Sequence, residues 1–109
     1  MKRIAILGST GSIGRSTLSV VESYPERFQI VALAAGSNIE LALEQALRWK
    51  PRVLSLAREQ DAGILASRLR GSGLSGIDVV HGAAGTVLVA TDPEVDFVVS
   101  AIVGVSGLE

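Results

Sequence analysis

Residues 8–14 read Gly8-Ser9-Thr10-Gly11-Ser12-Ile13-Gly14, three glycines at three-residue spacing directly after the apolar run Ile4–Leu7. Glycines so placed let backbone N–H groups converge on an anion, with a helix N-terminus behind them to add its dipole. A pyrophosphate is the anion such a loop suits. In that reading Gly8 makes the tight turn, Gly11 lets the backbone approach the phosphates, and Gly14 lets the helix pack on the strand. Thr10 and Ser12 add hydroxyl donors. The spacing is GxxGxxG rather than GxGxxG, a variant that keeps the last two glycines in place. The competing reading is a glycine-rich turn with no ligand. Context decides between them, because the motif has meaning only between a strand and a helix.

The flanking pattern supplies that context. Arg3–Leu7 reads as a first strand, followed by a helix with Ile13, Thr17, Val20, Val21 and Tyr24 on one apolar stripe, ending near Pro25. Gln29–Ala35 is a second strand. The next helix opens with Ser37-x-x-Glu40, a capping-box pattern, and should bury Ile39, Ala42, Leu43, Ala46 and Leu47 before Pro51. Arg52–Leu56 is a third strand, Glu59–Leu69 a helix, Gly71–Gly76 a surface loop, Ile77–Val80 a short strand and Ala83–Ala90 a weaker helix. The last strand, Asp96–Val103, is the most apolar run of the chain. It is expected beside the first strand at the centre of the sheet, with Ile77–Val80 on an edge. Strands alternating with helices define an α/β fold: a Rossmann-like, doubly wound parallel sheet of about five strands with helices on both faces.

The bulk properties agree. The 109 residues suit one domain. A hydrophobic content of 48% and a mean hydropathy of +0.43 fit strands buried on both faces. No apolar run nears the roughly 20 residues of a membrane span. A net charge of −1 with scattered Lys and Arg gives nothing to attract nucleic acid. The absence of cysteine removes disulfides, thiolate metal sites and a thiol nucleophile. A strand beginning at residue 3 leaves no room for a targeting peptide, so a reducing, cytoplasmic setting is expected. Asp96–Val103 running into Gly104-Val105-Ser106-Gly107 suggests the first domain of something longer.

The end of the second strand discriminates between cofactors. An NAD site usually carries an acid there for the ribose 2′-hydroxyl. Here the sequence is Ala34-Ala35-Gly36-Ser37-Asn38, with no carboxylate to repel a 2′-phosphate, so NADP is permitted. Gly36, Ser37 and Asn38 can donate to that phosphate, and Ser37 can equally be a helix cap. Arg58, just after the third strand, could flank an adenine or a 2′-phosphate, against a solvated charge as the plainer reading. His81, the single histidine, has no metal-ligand spacing to another ligand and reads as a polar loop residue. Trp49 and Tyr24 read as packing near helix ends. No paired carboxylates, nucleophile–base pair or metal cluster stands out, so catalytic and metal-binding residues are read as none. A binding half is visible without a catalytic half.

Ile6-Leu-Gly-Ser-Thr-Gly-Ser-Ile-Gly14, Ser16-Thr-Leu18, Val31-Ala-Leu33, Ala35-Gly36 with Asn38, Pro51-Arg52 and Ala101-Ile-Val-Gly104 recur together, in order and spacing, in one known family. The chain resembles the N-terminal domain of the 1-deoxy-D-xylulose 5-phosphate reductoisomerases over essentially all of residues 1–109. The resemblance implies an NADPH-dependent oxidoreductase of non-mevalonate isoprenoid biosynthesis. Such an enzyme rearranges 1-deoxy-D-xylulose 5-phosphate and reduces the aldehyde intermediate to 2-C-methyl-D-erythritol 4-phosphate. A divalent metal, magnesium or manganese, serves the full-length enzyme, which is expected to be a homodimer. Cofactor contacts carry over to Thr10, Gly11, Ser12, Ile13, Gly36 and Asn38, and Ala101 and Ile102 would approach the nicotinamide side.

Two departures accompany the resemblance. Some members carry a basic residue where this chain has Ser37, so that charge is missing from 2′-phosphate binding. The family's acidic metal ligands, substrate-binding lysine and phosphosugar-binding residues fall beyond residue 109, so these residues alone are expected to bind nucleotide weakly and not to catalyse. An extended short-chain dehydrogenase sharing the βαβ start, and a non-catalytic nucleotide-sensing module, remain the alternatives.

Overall fold

A computed structural model describes residues 2–74 and 76–101. Five strands and four helices alternate: β1 (Lys2–Leu7), α1 (Ser12–Ser23), β2 (Phe28–Ala34), α2 (Ile39–Trp49), β3 (Val53–Leu56), α3 (Glu59–Gly71), β4 (Asp78–His81), α4 (Gly82–Ala90) and β5 (Phe97–Ser100). They form one parallel sheet in the order β4-β3-β2-β1-β5. The chain steps outward from β1 to β4, then crosses back over the sheet through α4 to reach the far side of β1. β1 and β5 are therefore where the winding reverses, the place at which doubly wound sheets open a crevice at their carboxyl ends.

The two faces of the sheet are covered unequally. Ile4, Ile6, Leu33, Leu54 and Leu56 face α1, α2 and α3, which contribute Leu18, Val21, Ala46, Leu65 and Leu69 to the main core. Complete burial of a leucine such as Leu33 or Leu54 contributes about 1.5–3 kcal/mol. On the opposite face, Ala5, Ala32, Ala34 and Val53 cluster with Val89 of α4, with Leu7, Val80 and Val95 beside them. Short alanines on that face let α4 lie close across several strands. Sheet pairing and helices on both faces follow the sequence expectation, with Ile77–Val80 appearing as the edge strand β4.

Three details differ. The buried face of α1 is Gly14, Leu18 and Val21, while Ile13, Val20 and Tyr24 are at least half exposed. Seating Gly14 against the preceding loop fixes the helix rotation, so that of the predicted stripe Val21 is buried and Thr17 half-buried, while Ile13, Val20 and Tyr24 turn outward. In α2, Ala42, Gln45 and Ala46 face inward and Leu47, one residue past that face, is exposed. Finally, β5 pairs with β1 as expected but is the outermost strand on that side among the described residues. Phe97 and Val98, on opposite faces of β5, are both exposed. Its apolar character therefore reflects surface that these residues do not cover. The Ile102–Val103 portion of the predicted strand lies outside the described residues.

Candidate nucleotide-binding site

The loop after β1 is held from below by main-chain bonds. The N–H groups of Gly8 and Ser9 both donate to the Ala34 carbonyl at the end of β2 (2.7 and 3.0 Å), and Gly11 N–H donates to the Gly8 carbonyl (3.2 Å). Gly8 has φ +87°, a conformation that strains any residue with a β-carbon. A β-carbon on Gly14 would lie 2.7 Å from Ser9 Cα and nearer still to the Gly8 carbonyl oxygen, so α1 reaches the loop only because that position is glycine. Gly11 is different. A β-carbon there would meet only the Gly8 oxygen at 3.6 Å, an ordinary contact, and the residue is exposed. Two glycines shape the loop and the third faces open space.

Gly11 precedes Ser12, the first residue of α1, and no side chain caps this helix. The Thr10, Ser12 and Ile13 N–H groups donate to no main-chain acceptor among the described residues. The first turn of α1 carries no acid, so the positive end of the helix dipole is not neutralised there. Four of the predicted residues, Thr10, Gly11, Ser12 and Ile13, thus stand together at one helix start. The exposed Ile13 side chain projects from the same turn.

Of the other three predicted residues, Gly36 is tied to this loop and Ser37 and Asn38 follow it in the same turn. Gly36 N–H donates to Thr10 Oγ1 at 3.4 Å, a long bond that ties the end of β2 to the glycine loop. The Gly36 carbonyl in turn accepts from Ala57 N–H (3.1 Å), binding the same turn to the end of β3. Ser37 is exposed and lies outside α2, and the helix cap is Asn38, whose Oδ1 accepts from Leu41 N–H (3.0 Å). The capping box expected from Ser37 and Glu40 does not form. The chain enters the helix one residue later, and Glu40 instead pairs with Arg68 (2.6 Å). Ser37 is therefore free of the capping role, and Asn38 keeps its NH2 donors while its oxygen caps.

A depression of about 290 Å³ adjoins these turns, lined by Gly8, Ala35, Gly36, Leu56, Ala57 and Gly82 among others. A larger one of about 560 Å³ lies at the amino-terminal end of the strands, lined by residues including Arg3, Pro51 and Leu74, away from the glycine loop. Ala101 follows β5, is buried, and donates its N–H to the Leu7 carbonyl (2.7 Å), which places it beside the start of the glycine loop. Ile102 lies outside the described residues.

Arg58 immediately precedes α3 and follows Ala57, so it neighbours the Gly36 turn. Its guanidinium is largely exposed and donates to the buried Asp61 carboxylate (3.1 Å). His81 ends β4 and is exposed. Trp49 is partly buried against the main core beneath the Arg48 guanidinium, whereas Tyr24 is half exposed. Among the described residues no group of three His, Asp or Glu is placed to hold a metal ion. Sequence reading missed Gln45. Its Nε2 donates to the Ser9 carbonyl (2.8 Å) in a buried contact. The available signal was a polar residue on the Ala42–Ala46 face of an otherwise apolar helix stripe.

A parallel sheet with a glycine loop at its reversal point defines a Rossmann-like fold. The sequence profile of the 1-deoxy-D-xylulose 5-phosphate reductoisomerase family matches residues 4–109. The chain belongs to that family, which sets aside the short-chain dehydrogenase alternative. It is 48% identical over 108 residues to the 1-deoxy-D-xylulose 5-phosphate reductoisomerase of Glaesserella parasuis and 46% identical to that of Methylococcus capsulatus. In each case the match covers 99% of this chain and 27% of the relative, so the chain spans about a quarter of its relatives' length. A crystal structure of DOX-P reductoisomerase in complex with NADPH, fosmidomycin and magnesium superposes with a TM-score of 0.91 at 35% identity, covering 99% of this chain and 26% of that one. The enzyme from Zymomonas mobilis in complex with NADPH gives 0.84 at 32% identity, covering 98% of this chain and 27% of that one. No helix among the described residues is long and apolar enough to cross a membrane.

Proposed function

We propose that residues 1–109 form the NADPH-binding domain of a 1-deoxy-D-xylulose 5-phosphate reductoisomerase, with the catalytic and C-terminal domains outside them. The observation that carries this reading is the gathering at one helix start of the Thr10, Ser12 and Ile13 N–H groups, which have no main-chain acceptor among the described residues, tied through Thr10 Oγ1 to the acid-free turn after β2. The first set suits a pyrophosphate. Gly36, Ser37 and Asn38 suit an adenosine 2′-phosphate, with the Ser37 hydroxyl and Asn38 NH2 as donors. Family members of known structure include two in complex with NADPH.

In the complete enzyme the bound cofactor supplies hydride to the aldehyde formed from 1-deoxy-D-xylulose 5-phosphate, giving 2-C-methyl-D-erythritol 4-phosphate. The contribution of this chain's residues is to bind and orient. The glycine loop and the Gly36 turn hold the two phosphate-bearing ends, and the backbone at Ala101 flanks the nicotinamide end. The Mg²⁺ or Mn²⁺ ligands and the phosphosugar site are assigned, on the family resemblance, to the remainder of the enzyme. We place the enzyme in the cytoplasm as a homodimer that acts on a small phosphosugar, with neither nucleic acid nor membrane as a partner. The test is titration of the protein with NADPH and NADH. Tighter binding of NADPH is expected, and absence of binding by either nucleotide would overturn the reading.

A further inference from the structure

Resting on the nucleotide-binding reading, we infer that Gln45 is a positioning residue that sets the orientation of the phosphate-binding loop. Ser9 is fully buried and Gln45 nearly so, and the Gln45 amide donates from α2 to the Ser9 carbonyl at 2.8 Å. Every described peptide bond is trans, so the Ser9 carbonyl and the Thr10 N–H point to opposite sides of one rigid plane. Drawing the carbonyl inward toward α2 therefore turns the Thr10 N–H outward, where it meets no main-chain acceptor among the described residues. That N–H is one of the donors the cofactor's pyrophosphate needs.

The arrangement leaves part of its buried polar surface unpaired. Gln45 Oε1 and Ser9 Oγ are both buried without a hydrogen-bond partner among the described residues. An apolar side chain at position 45 would remove the unpaired amide oxygen but leave the buried Ser9 carbonyl without this donor. The polar contact gives direction to the loop. It also joins the glycine loop to the helix that Asn38 caps, so the two phosphate-binding ends share one rigid support.

The test uses the complete polypeptide with Gln45→Met, which keeps length and removes the donor, and Gln45→Asn, whose amide is one methylene too short. NADPH and adenosine 2′-monophosphate are titrated separately, because the latter carries the 2′-phosphate without a pyrophosphate. The expected result is a Kd for NADPH raised roughly tenfold while that for adenosine 2′-monophosphate stays within about twofold. The KM for NADPH should rise with kcat little changed. An unchanged NADPH affinity in a folded variant overturns the positioning role alone, as does parallel weakening of both ligands or loss of folding in both variants. Failure of the unaltered protein to bind NADPH overturns the nucleotide reading itself, and this role with it.

Discussion

Gly14 is packed so tightly against Gly8 that a β-carbon on it would press into the Gly8 carbonyl oxygen and lie 2.7 Å from Ser9 Cα. The neighbouring atoms are backbone, already bonded to the end of β2 by Gly8 and Ser9 N–H, and cannot swing aside. Gly14→Ala should therefore push α1 away from the sheet and destabilise the protein by about 3 kcal/mol, at the upper end of overpacking penalties. Urea unfolding followed by circular dichroism measures this. A midpoint equal to that of the unaltered protein would show that the loop yields more easily than its hydrogen bonds imply.

Gly11→Val should behave in the opposite way. Its β-carbon would meet nothing closer than 3.6 Å, and the residue precedes α1 with φ −80°, which valine tolerates. The fold should survive, but the added side chain would occupy the space above the loop where a pyrophosphate meets the backbone. NADPH binding should fall below detection with little change in the urea midpoint. Retained affinity would mean that the ligand does not approach Gly11.

The glycine motif and the strand–helix alternation were legible because both depend on local chemistry: a turn that needs positive φ, and apolar runs of defined period. What escaped was set by tertiary geometry. The rotation of α1 follows from the Gly14 contact, which outweighs the larger side chains of Ile13 and Val20. The cap of α2 fell on Asn38 rather than Ser37 because the β2 turn, held by Thr10 and Ala57, delays helix entry by one residue. Gln45 was invisible because its partner is a main-chain carbonyl 36 positions away. The central position expected for the last strand rested on its composition, and composition does not fix a strand's place in the sheet order.

The attachment of β5 to β1 should depend on acid. Asp96 accepts from the Arg3 N–H (3.0 Å) and from its guanidinium. Those bonds, the main-chain one foremost, hold its carboxyl below the usual carboxylate range, with burial opposing them more weakly. A lowered folded-state pKa means that the ionised group stabilises the protein fully above its unfolded pKa. That stabilisation is lost as pH falls through the lowered folded value, below the ordinary carboxylate range. Asp96→Asn should flatten part of the acid dependence of the unfolding midpoint in that window and leave the slope above about pH 5 unchanged. Both side chains are substantially exposed, so the effect should shrink in high salt. Identical pH profiles for the two proteins would show that the pair has no net role.

Cofactor choice should depend on the Gly36–Asn38 turn, which has no formal charge of its own. Gly36, Ser37 and Asn38 offer neutral donors only, and hydrogen bonds to a charged group contribute about 1.5–3 kcal/mol each. With the cap assigned to Asn38 Oδ1, the Ser37 hydroxyl is available to a 2′-phosphate. Ser37→Lys should tighten NADPH binding more at low salt than at high salt, because the position is exposed and screening acts over about 10 Å at 0.1 M. Ser37→Asp should reverse the preference toward NADH, since a carboxylate near 4 Å from a phosphate costs about 1–4 kcal/mol at surface-like dielectrics. The measurement is the pair of dissociation constants, NADPH and NADH, for each variant. Arg58→Ala serves as the comparison, because Arg58 neighbours the same turn through Ala57 but is already engaged by Asp61. If Ser37→Asp leaves the ratio of constants unchanged while Arg58→Ala lowers it, the 2′-phosphate is held from the β3 side and the Gly36–Asn38 assignment is wrong.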